Sequence, residues 1–181
     1  VLEVTINRPQ QRNSLSFAAN QELSDIFDAF EADSDLWVAI LTGAGDQAFC
    51  AGMDLKGGGS GQMARGGFAG LTSRRTRKPV IAAVNGVALG GGLETVLACD
   101  LAVADPQARF GLTEVRVGMI AGAGGAVRLP RQIPRKIGVE LLLTGRQMDA
   151  AEAREWGLLN RVSATGKALD EARRLAQDIV A

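Results

Sequence analysis

The chain has 181 residues, of which 46% are hydrophobic, and its 20 lysines and arginines balance its 20 aspartates and glutamates. This length is typical of one domain with a substantial hydrophobic core, so we expect a single domain over residues 1–181. A neutral balance gives no strong field for nucleic acid or an anionic membrane, and no apolar run approaches the roughly 20 residues that span a bilayer. We therefore expect a soluble, cytoplasmic protein that binds neither nucleic acid nor membrane.

The residue types that are missing limit the chemistry further. The sequence contains no histidine and no tyrosine, so it cannot build a Ser-His-Asp or Cys-His site and has no phenol to act as an acid. Acids and bases must come mainly from Asp, Glu, Lys or Cys. No metal site is expected, because histidine is absent and Cys50 and Cys99 lie far apart in sequence. Both cysteines have small or apolar neighbours, which predicts buried hydrophobic residues rather than nucleophiles or disulfide partners.

In chain order, the first predicted elements are a strand, a turn and a helix. Residues 2–7 alternate as in an exposed strand, which the Arg8-Pro9 pair closes. Ser16 then begins a long helix whose apolar residues recur at helical spacing. Further short apolar runs predict strands over residues 37–42, 80–84 and 101–104.

A glycine-rich segment follows the second predicted strand. Residues 56–70, KGGGSGQMARGGFAG, contain few apolar side chains. This composition predicts a mobile surface loop with little contact to the core. Such a loop could order over a ligand.

The second half of the chain alternates strands with helical patterns. Helices are predicted over residues 91–99, after Gly122, and over residues 137–143 and 149–156, where Asp149 and Glu152 are spaced as a capping box. The alternation favours an α/β layered fold with active groups at strand ends and helix starts. The chain lacks an initial methionine and stops within a helical pattern, so we expect both ends to be incomplete.

Gly90, Gly91 and Gly92 lie between a predicted strand and a predicted helix. Their spacing fits neither the dinucleotide motif G-x-G-x-x-G nor the P-loop motif, which disfavours nucleotide-binding folds. Two interpretations remain open: the glycines let a helix pack close to a strand, or their amides and the helix dipole stabilise one negative oxygen. FCAGMDLK, residues 49–56, is a second small-residue turn that could supply another amide.

Five motifs in order along almost the whole chain resemble those of one superfamily. They are INRPQQRNSLS, AILTGAGDQAFCAGMDLK, KPVIAAVNGVALGGGLETVLACD, ARFGLTEVRVGMIAGAGGAVRLP and LLLTGRQMDAAEAREWGLLNRV. Together they resemble the crotonase superfamily, and within it the enoyl-CoA hydratases of fatty-acid metabolism. The resemblance implies an α/β, crotonase-like spiral fold of repeated ββα units, a homotrimer or a hexamer made of two trimers, and further C-terminal helices beyond this chain's end.

The resemblance also implies roles for particular residues. The backbone N–H groups of Met53 and Gly91 would form an oxyanion hole for an acyl-CoA thioester. Glu94 would orient and deprotonate a water molecule for attack at Cβ, and Glu114 would deliver a proton to Cα. Coenzyme A would enter as part of the substrate, so no permanently bound cofactor is expected. The implied substrate and CoA contacts are Ala51, Asp54, Leu55, Lys56 and Gly122.

Simpler roles stay open for several of these positions. Glu94 would favour the helix dipole in any first helical turn, and Glu114 could be a solvated residue after a turn. Asp54 could cap a helix. A basic run could either meet CoA phosphates or form a solvated surface; it comprises Arg74, Arg75, Arg77 and Lys78.

Two positions depart from the family pattern. Thr113 and Ala121 stand where the family often has proline, so we expect a less constrained backbone around Glu114 and the turn at Gly122. Because both glutamates are present, the favoured function is hydration of a 2-enoyl-CoA. An enoyl-CoA isomerase, whose relatives often retain one of these acids, and a catalytically silent acyl-CoA-binding subunit are the alternatives.

Overall fold

A computed structural model of the chain describes residues 1–55 and 62–181. The strands, in chain order, are β1 (Leu2–Ile6), β2 (Ala39–Gly43), β3 (Ala48–Cys50), β4 (Val80–Val84), β5 (Val87–Leu89), β6 (Leu101–Ala104), β7 (Arg109–Gly111), β8 (Met148–Asp149) and β9 (Arg161–Val162). The α-helices are α1 (Phe17–Ala32), α2 (Gly91–Ala98), α3 (Gly125–Gln132), α4 (Arg135–Thr144), α5 (Ala150–Glu155) and α6 (Ala168–Val180). Three 3₁₀ turns in this part of the chain cover Pro9–Gln11, Phe68–Gly70 and Glu114–Val117.

The strands form two sheets. The first is parallel, with five strands in the order β1-β2-β4-β6-β9, and the second has four strands in the order β3-β5-β7-β8. Three successive strand pairs, β2 with β3, β4 with β5 and β6 with β7, each place their first strand in the first sheet and their second in the other. Helix α2 follows β5, and α3 follows β7 after a 3₁₀ turn. The structure thus confirms the α/β fold of repeated ββα units.

The centre of the first sheet is buried on both faces. Every residue of β2 and β4 is buried, which explains why both strands read as continuous apolar runs rather than alternating ones. On one face, Ile40 and Ile81 pack with Ala172 and Ala176 of α6. On the other, Leu41 joins the larger core that includes the second sheet and α2. The parallel strands therefore hold the second sheet, and the turns that follow it, in a fixed position.

Most helices and the strands of four or five residues agree with the sequence predictions, and the shortest strands do not. The N-cap Ser16 of α1 accepts a hydrogen bond from the amide of Ala19 at 3.2 Å, as its position predicted. Asp149 caps α5 by accepting from the amide of Glu152 at 2.8 Å, but the Glu152 carboxylate is bonded to Arg146, so only half of the capping box forms. Strands β3, β5 and β7 have three residues each, too few to produce a recognisable alternation, and they were not predicted.

The prediction of a core-free loop over residues 56–70 is wrong for its second part. Residues 56–61 lie outside the described residues, whereas residues 66–70 are buried. Glycine makes this burial possible: a Cβ on Gly70, whose φ is +67°, would lie 2.6 Å from the backbone nitrogen of Ser24 in α1. Asn20 of α1 also accepts a hydrogen bond from the Ala69 amide at 2.6 Å. The glycines here permit close packing against α1.

Both cysteines are buried hydrophobic residues, as predicted. Cys50 and Cys99 are unoxidised and only 0% and 8% exposed. Burial raises the pKa of the Cys50 thiol to about 12 and raises that of Cys99 as well, so both stay protonated near neutral pH. Within residues 1–55 and 62–181, no helix combines the length and apolar character needed to cross a bilayer.

Candidate active site

The glycine turn before α2 brings a helix start and a strand into very close contact. A Cβ on Gly92 would lie 1.9 Å from the carbonyl oxygen of Cys50, so α2 can approach β3 only with glycine at this position. Gly90 has a φ of +54° and donates to the Gly111 carbonyl at 2.9 Å, which fixes the turn above β7. Gly91 is the first residue of α2, where an N–H group has no acceptor within the helix. Close packing and an amide without an acceptor among the described residues are therefore both present in this turn.

The amide of Met53 is left free by the way its segment pairs with Leu15. Leu15 donates to the Gly52 carbonyl at 2.9 Å and accepts from the Asp54 amide at 3.0 Å, so the Met53 N–H faces away from Leu15. Within the part of the chain that the structure describes, this N–H has no hydrogen-bond acceptor. Gly52, with a φ of +96°, packs on the start of α2, where its Cβ would lie 3.4 Å from the Gly91 nitrogen. The two predicted amide donors thus belong to neighbouring backbone segments.

A cavity of about 290 Å³ opens at these segments. Most of the predicted site residues line this cavity. Gly90, Phe68 and Ile120 are among the other residues that line it. Gly122 is exposed and lies outside the lining, as does Asp54, while Lys56 falls outside the described residues. The predicted residues that line the cavity are Ala51, Met53, Leu55, Gly91, Glu94 and Glu114.

Glu94 is almost completely buried, at 3% exposure, in the first turn of α2. Its Oε1 accepts a hydrogen bond from the Gly125 amide at 2.9 Å. A Cβ on Gly125 would lie 3.0 Å from the Glu94 Cγ, so glycine lets the α3 start approach the carboxyl closely. Burial raises the pKa of Glu94 and the charge of Glu114 raises it further, while bonds from the Gly125 and Ala123 backbone and the charge of Arg128 act in the opposite direction.

Glu114 begins the 3₁₀ turn Glu114–Val117 and is half-buried. Its Oε2 is inaccessible to solvent and has no hydrogen-bond partner among the described residues. Its carboxyl lies against Gly90, because a Cβ on that glycine would be 3.3 Å from Oε1. Burial raises the pKa of Glu114, and the bond from its own backbone amide opposes the rise. A buried carboxyl oxygen without a partner is costly unless the group is protonated or a ligand or water contacts it.

An apolar cavity of about 370 Å³ adjoins the first one. Glu114, Met119 and Ile120 line both cavities, so the carboxyl stands at the boundary between them. In the described part of this lining, Glu114 is the only charged residue. The remaining lining residues are Leu112, Val115, Ala121, Ala126, Leu142 and Leu143. This second cavity is suited to a hydrocarbon chain.

Other charged candidates are bound to neighbouring protein groups. The Asp54 carboxylate pairs with Arg8 at 2.9 Å. Most of the predicted basic run is attached to α1: Arg74 pairs with Asp28 at 2.7 Å, Arg77 pairs with Glu31 at 3.2 Å, and Lys78 donates to the Phe30 carbonyl at 2.7 Å. These pairs attach the segment before β4 to the first helix.

Sequence reasoning missed two residues that shape the site. The Phe68 ring lies on the α2 start, where a Cβ on Gly91 would be 2.7 Å from it, and Phe68 lines the cavity. Its lone aromatic ring within a glycine-rich segment was the available signal. The Gly125 amide donates to Glu94, and the helical pattern predicted after Gly122 gave no indication of that contact.

Comparison with known proteins gives consistent similarities along the chain. A family model described as Enoyl-CoA hydratase/isomerase matches residues 1–181. Carnitinyl-CoA dehydratase of Proteus mirabilis (strain HI4320) is 44% identical over 185 residues, which cover 99% of this chain and 70% of that protein. Crystal structures of carnitinyl-CoA hydratase from Mycobacterium avium and of enoyl-CoA hydratase from Mycobacterium tuberculosis H37Rv superpose with TM-scores of 0.95 and 0.94 at 44% and 47% identity. Each superposition covers 98% of this chain, with 70% of the first structure and 71% of the second.

Proposed function

The chain belongs to the enoyl-CoA hydratase/isomerase family of the crotonase superfamily, and from this premise we propose that it adds water reversibly to a 2-enoyl-CoA thioester. One observation carries the proposal: a buried and a half-buried glutamate, Glu94 and Glu114, line a cavity that Met53 and Gly91 also line. The reaction class is that of a hydro-lyase. A 3-hydroxyacyl-CoA would be the product of hydration and the substrate of the reverse reaction.

The two amides would stabilise the charge that develops on the thioester oxygen. As water attacks Cβ, electrons move through the double bond toward the carbonyl, which becomes enolate-like. The N–H groups of Met53 and Gly91 are fixed by the Leu15 bridge and the Gly92 contact, so they need no reorganisation to receive that charge. Loss of one such donor typically costs about 3 to 4 kcal/mol of barrier. The dipole of α2 acts in the same direction.

The two glutamates would divide the proton transfers. Glu94, held by the Gly125 amide, orients the water and takes its proton while the water oxygen bonds to Cβ. Glu114 delivers its proton to Cα as the enolate collapses, which leaves Glu94 protonated and Glu114 ionised. Burial raises the pKa of both groups, and the charge of Glu114 raises that of Glu94 further, which agrees with a pair that holds one proton between them. Addition from this one side gives syn geometry.

The surroundings of the pair indicate the class of acyl group. The adjoining cavity is apolar apart from Glu114 in its described lining, so we propose a hydrocarbon acyl chain rather than a cationic one. On this proposal, the acyl group differs from that of the dehydratase relatives named for the carnitinyl group. We further propose that coenzyme A enters only as part of the substrate, with no permanent cofactor, and that the enzyme is a cytoplasmic homotrimer or hexamer, as in the family.

A panel of enoyl-CoA esters tests the function. The protein is incubated with crotonyl-CoA, longer 2-enoyl-CoA esters and carnitinyl-CoA, and mass spectrometry follows gain or loss of water. We expect hydration of the hydrocarbon esters, a fall of roughly 10²- to 10⁴-fold in Glu94→Gln and Glu114→Gln, and full activity in Glu155→Gln, an exposed glutamate of α5. Undiminished turnover in both site variants would contradict the proposal.

The same panel separates the alternatives. A 3-enoyl-CoA that is converted to its 2-enoyl isomer without gain of water would indicate an isomerase. Binding of acyl-CoA with no product from any ester would indicate a silent subunit. Faster dehydration of carnitinyl-CoA than hydration of crotonyl-CoA would overturn the preference for a hydrocarbon chain while leaving the reaction class intact.

A further inference from the structure

Arg128 of α3 joins two segments that flank the candidate site. Its Nη1 donates to the Ala123 carbonyl at 3.2 Å, and its Nη2 donates to the Thr72 carbonyl at 2.7 Å. The half-buried guanidinium donates from both ends of its planar fork to backbone carbonyls in two segments that are far apart in sequence. Such bidentate use fixes the relative position of the two segments.

The first segment is the turn formed by residues 121–125, which we call the 121–125 turn. Its Gly124 has a φ of +109°, and a Cβ there would lie 2.0 Å from the Arg128 Nη1. The guanidinium therefore occupies the concave side of the turn, in space that any other residue at position 124 would take. At the end of the same turn, the Gly125 amide donates to Glu94.

The second segment carries Phe68. The Thr72 side chain accepts a hydrogen bond from the Phe68 amide at 2.8 Å, so the carbonyl that Arg128 holds belongs to a residue that fixes the Phe68 backbone. The Phe68 ring in turn lies on Gly91, the proposed oxyanion donor. One guanidinium thus connects the turn that orients the proposed base to the segment that packs on the proposed amide donor.

We propose that Arg128 is a positioning residue for this reaction, holding the 121–125 turn so that Gly125 keeps its hydrogen bond to Glu94. The proposal rests on the proposed function for its kinetic consequences but not for its structural ones. The charged groups that act on Glu94 are Glu114, across the cavity, and Arg128, behind the turn. Arg128 therefore also favours the ionised form of the base by its charge, against burial and Glu114.

The test compares Arg128→Gln and Arg128→Lys with Arg131→Gln, an exposed arginine of the same helix. The amide proton of Gly125, observed by NMR with ¹⁵N-glycine labelling, reports the titration of Glu94 without any substrate. We expect its midpoint to move to higher pH in Arg128→Gln, because the variant loses a positive charge and a constraint on the turn. The acid limb of the kcat/KM profile for crotonyl-CoA should move in the same direction, with kcat reduced roughly 10- to 100-fold and KM changed far less.

The lysine variant separates charge from geometry. Arg128→Lys keeps the positive charge but cannot reach both carbonyls with a fixed fork, so we expect a near-native midpoint for Gly125 together with a reduced kcat. A Gly125 titration and kcat equal to those of the wild type in Arg128→Gln would overturn the proposal, and so would complete recovery of kcat in Arg128→Lys.

The NMR readout stands apart from the proposed function. If the wild type hydrates no ester, the proposed function fails, yet the shift and exchange rate of the Gly125 amide in Arg128→Lys, which retains the charge, still decide whether Arg128 holds the turn on Glu94. The same two measurements in the lysine variant serve if Arg128→Gln does not fold. In that variant, a Gly125 amide shift and exchange rate identical to those of the wild type would contradict the positioning role.

Discussion

Glu94 belongs to the packed side of the cavity, and Glu114 belongs to its open side. Glu94 lies within α2, is 3% exposed and is held by the Gly125 amide. Glu114 starts a short 3₁₀ turn followed by exposed apolar residues, and its Oε2 has no partner in the described chain. Val117 and Ile120 beyond it are 63% and 75% exposed. The same residue type is therefore fixed on one wall and adaptable on the other.

This difference indicates a division of work between the two acids. A base must hold a water molecule in one orientation, and a fixed carboxylate with a bound amide suits that task. An acid that follows the substrate carbon benefits from some freedom, and an unpartnered oxygen is ready to bond to a ligand. The packed wall holds the proposed base in one orientation, and the open wall lets the proposed acid adjust to the substrate.

Shortening each acid by one methylene group should expose this difference most strongly. Glu94→Asp withdraws the carboxylate from a position that Gly125 and α2 prevent it from regaining, so we expect kcat for crotonyl-CoA to fall roughly 100-fold. In Glu114→Asp the turn can move toward the cavity, and the loss should be several-fold smaller. Steady-state kinetics measure both, with Glu155→Asp as the matched exposed control. Equal losses in the two site variants would remove the distinction between the walls.

Adding one methyl group should show how tightly the packed side is built. Gly92→Ala places a carbon where the Cys50 carbonyl oxygen lies, 1.9 Å away, so the α2 start must move off β3. We expect the free energy of unfolding to drop by about 1 to 3 kcal/mol, as overpacking usually costs. Gly122→Ala is the control, because its Cβ would meet only the Ile120 carbonyl at 3.7 Å. Urea unfolding compares the two, and a similar loss in both would show that the 121–125 turn is as tightly packed as the α2 start.

The pH dependence of stability tests the shared burial of the two carboxyls. Burial raises the pKa of Glu94 and of Glu114 above the ordinary value of 4.5, so the folded state keeps protons that the unfolded chain has released. The contribution of these groups to stability therefore falls as pH rises from that value through the raised pKa values. The double variant Glu94→Gln/Glu114→Gln should lack this decline.

Urea unfolding over a pH series measures the effect as a difference between the wild type and the double variant. Other carboxylates, such as Glu152 beside Arg146, have a lowered pKa and cancel in this comparison. We expect the double variant to gain stability relative to the wild type as pH rises, and to keep that gain at neutral pH. Parallel curves for the two proteins would mean that the carboxyls titrate alike in the folded and unfolded chains.

The sequence alone was sufficient to predict the elements whose buried residues form a long or clearly bounded apolar pattern. Helix α1 shows its spacing over several turns, and β4 and β6 were located with correct bounds because apolar runs end at clear turn residues. The resemblance supplied the positions that the structure places around one cavity, including Met53, Gly91, Glu94 and Glu114. Local composition could not have done so, because these residues come from distant parts of the chain.

What could not be predicted depends on contacts between distant segments. The burial of residues 66–70 arises from glycines that fit against α1 and from one phenylalanine, and composition alone suggested a solvated loop. Likewise, Arg74 and Arg77 appeared as a basic run, and only the position of α1 shows that Asp28 and Glu31 pair with them. The spacing of residues in a sequence shows the periodicity of a helix or strand. Which charged side chains pair with each other becomes clear only from the fold.

A small gain in stability should be available on the open side, at Thr113. The φ of Thr113 is −92°, not far from the proline range, and its N–H has no acceptor among the residues that the structure describes. Thr113→Pro should therefore raise the free energy of unfolding by about 0.4 to 1 kcal/mol, because it restricts the unfolded chain, and should raise Tm by about 1 to 4 °C. Thr113→Ala removes the side chain without that restriction and is the control in thermal unfolding. A lower Tm in the proline variant than in the alanine variant would mean that the backbone before Glu114 is already constrained against the proline geometry, and that the open wall is less adaptable than its exposure indicates.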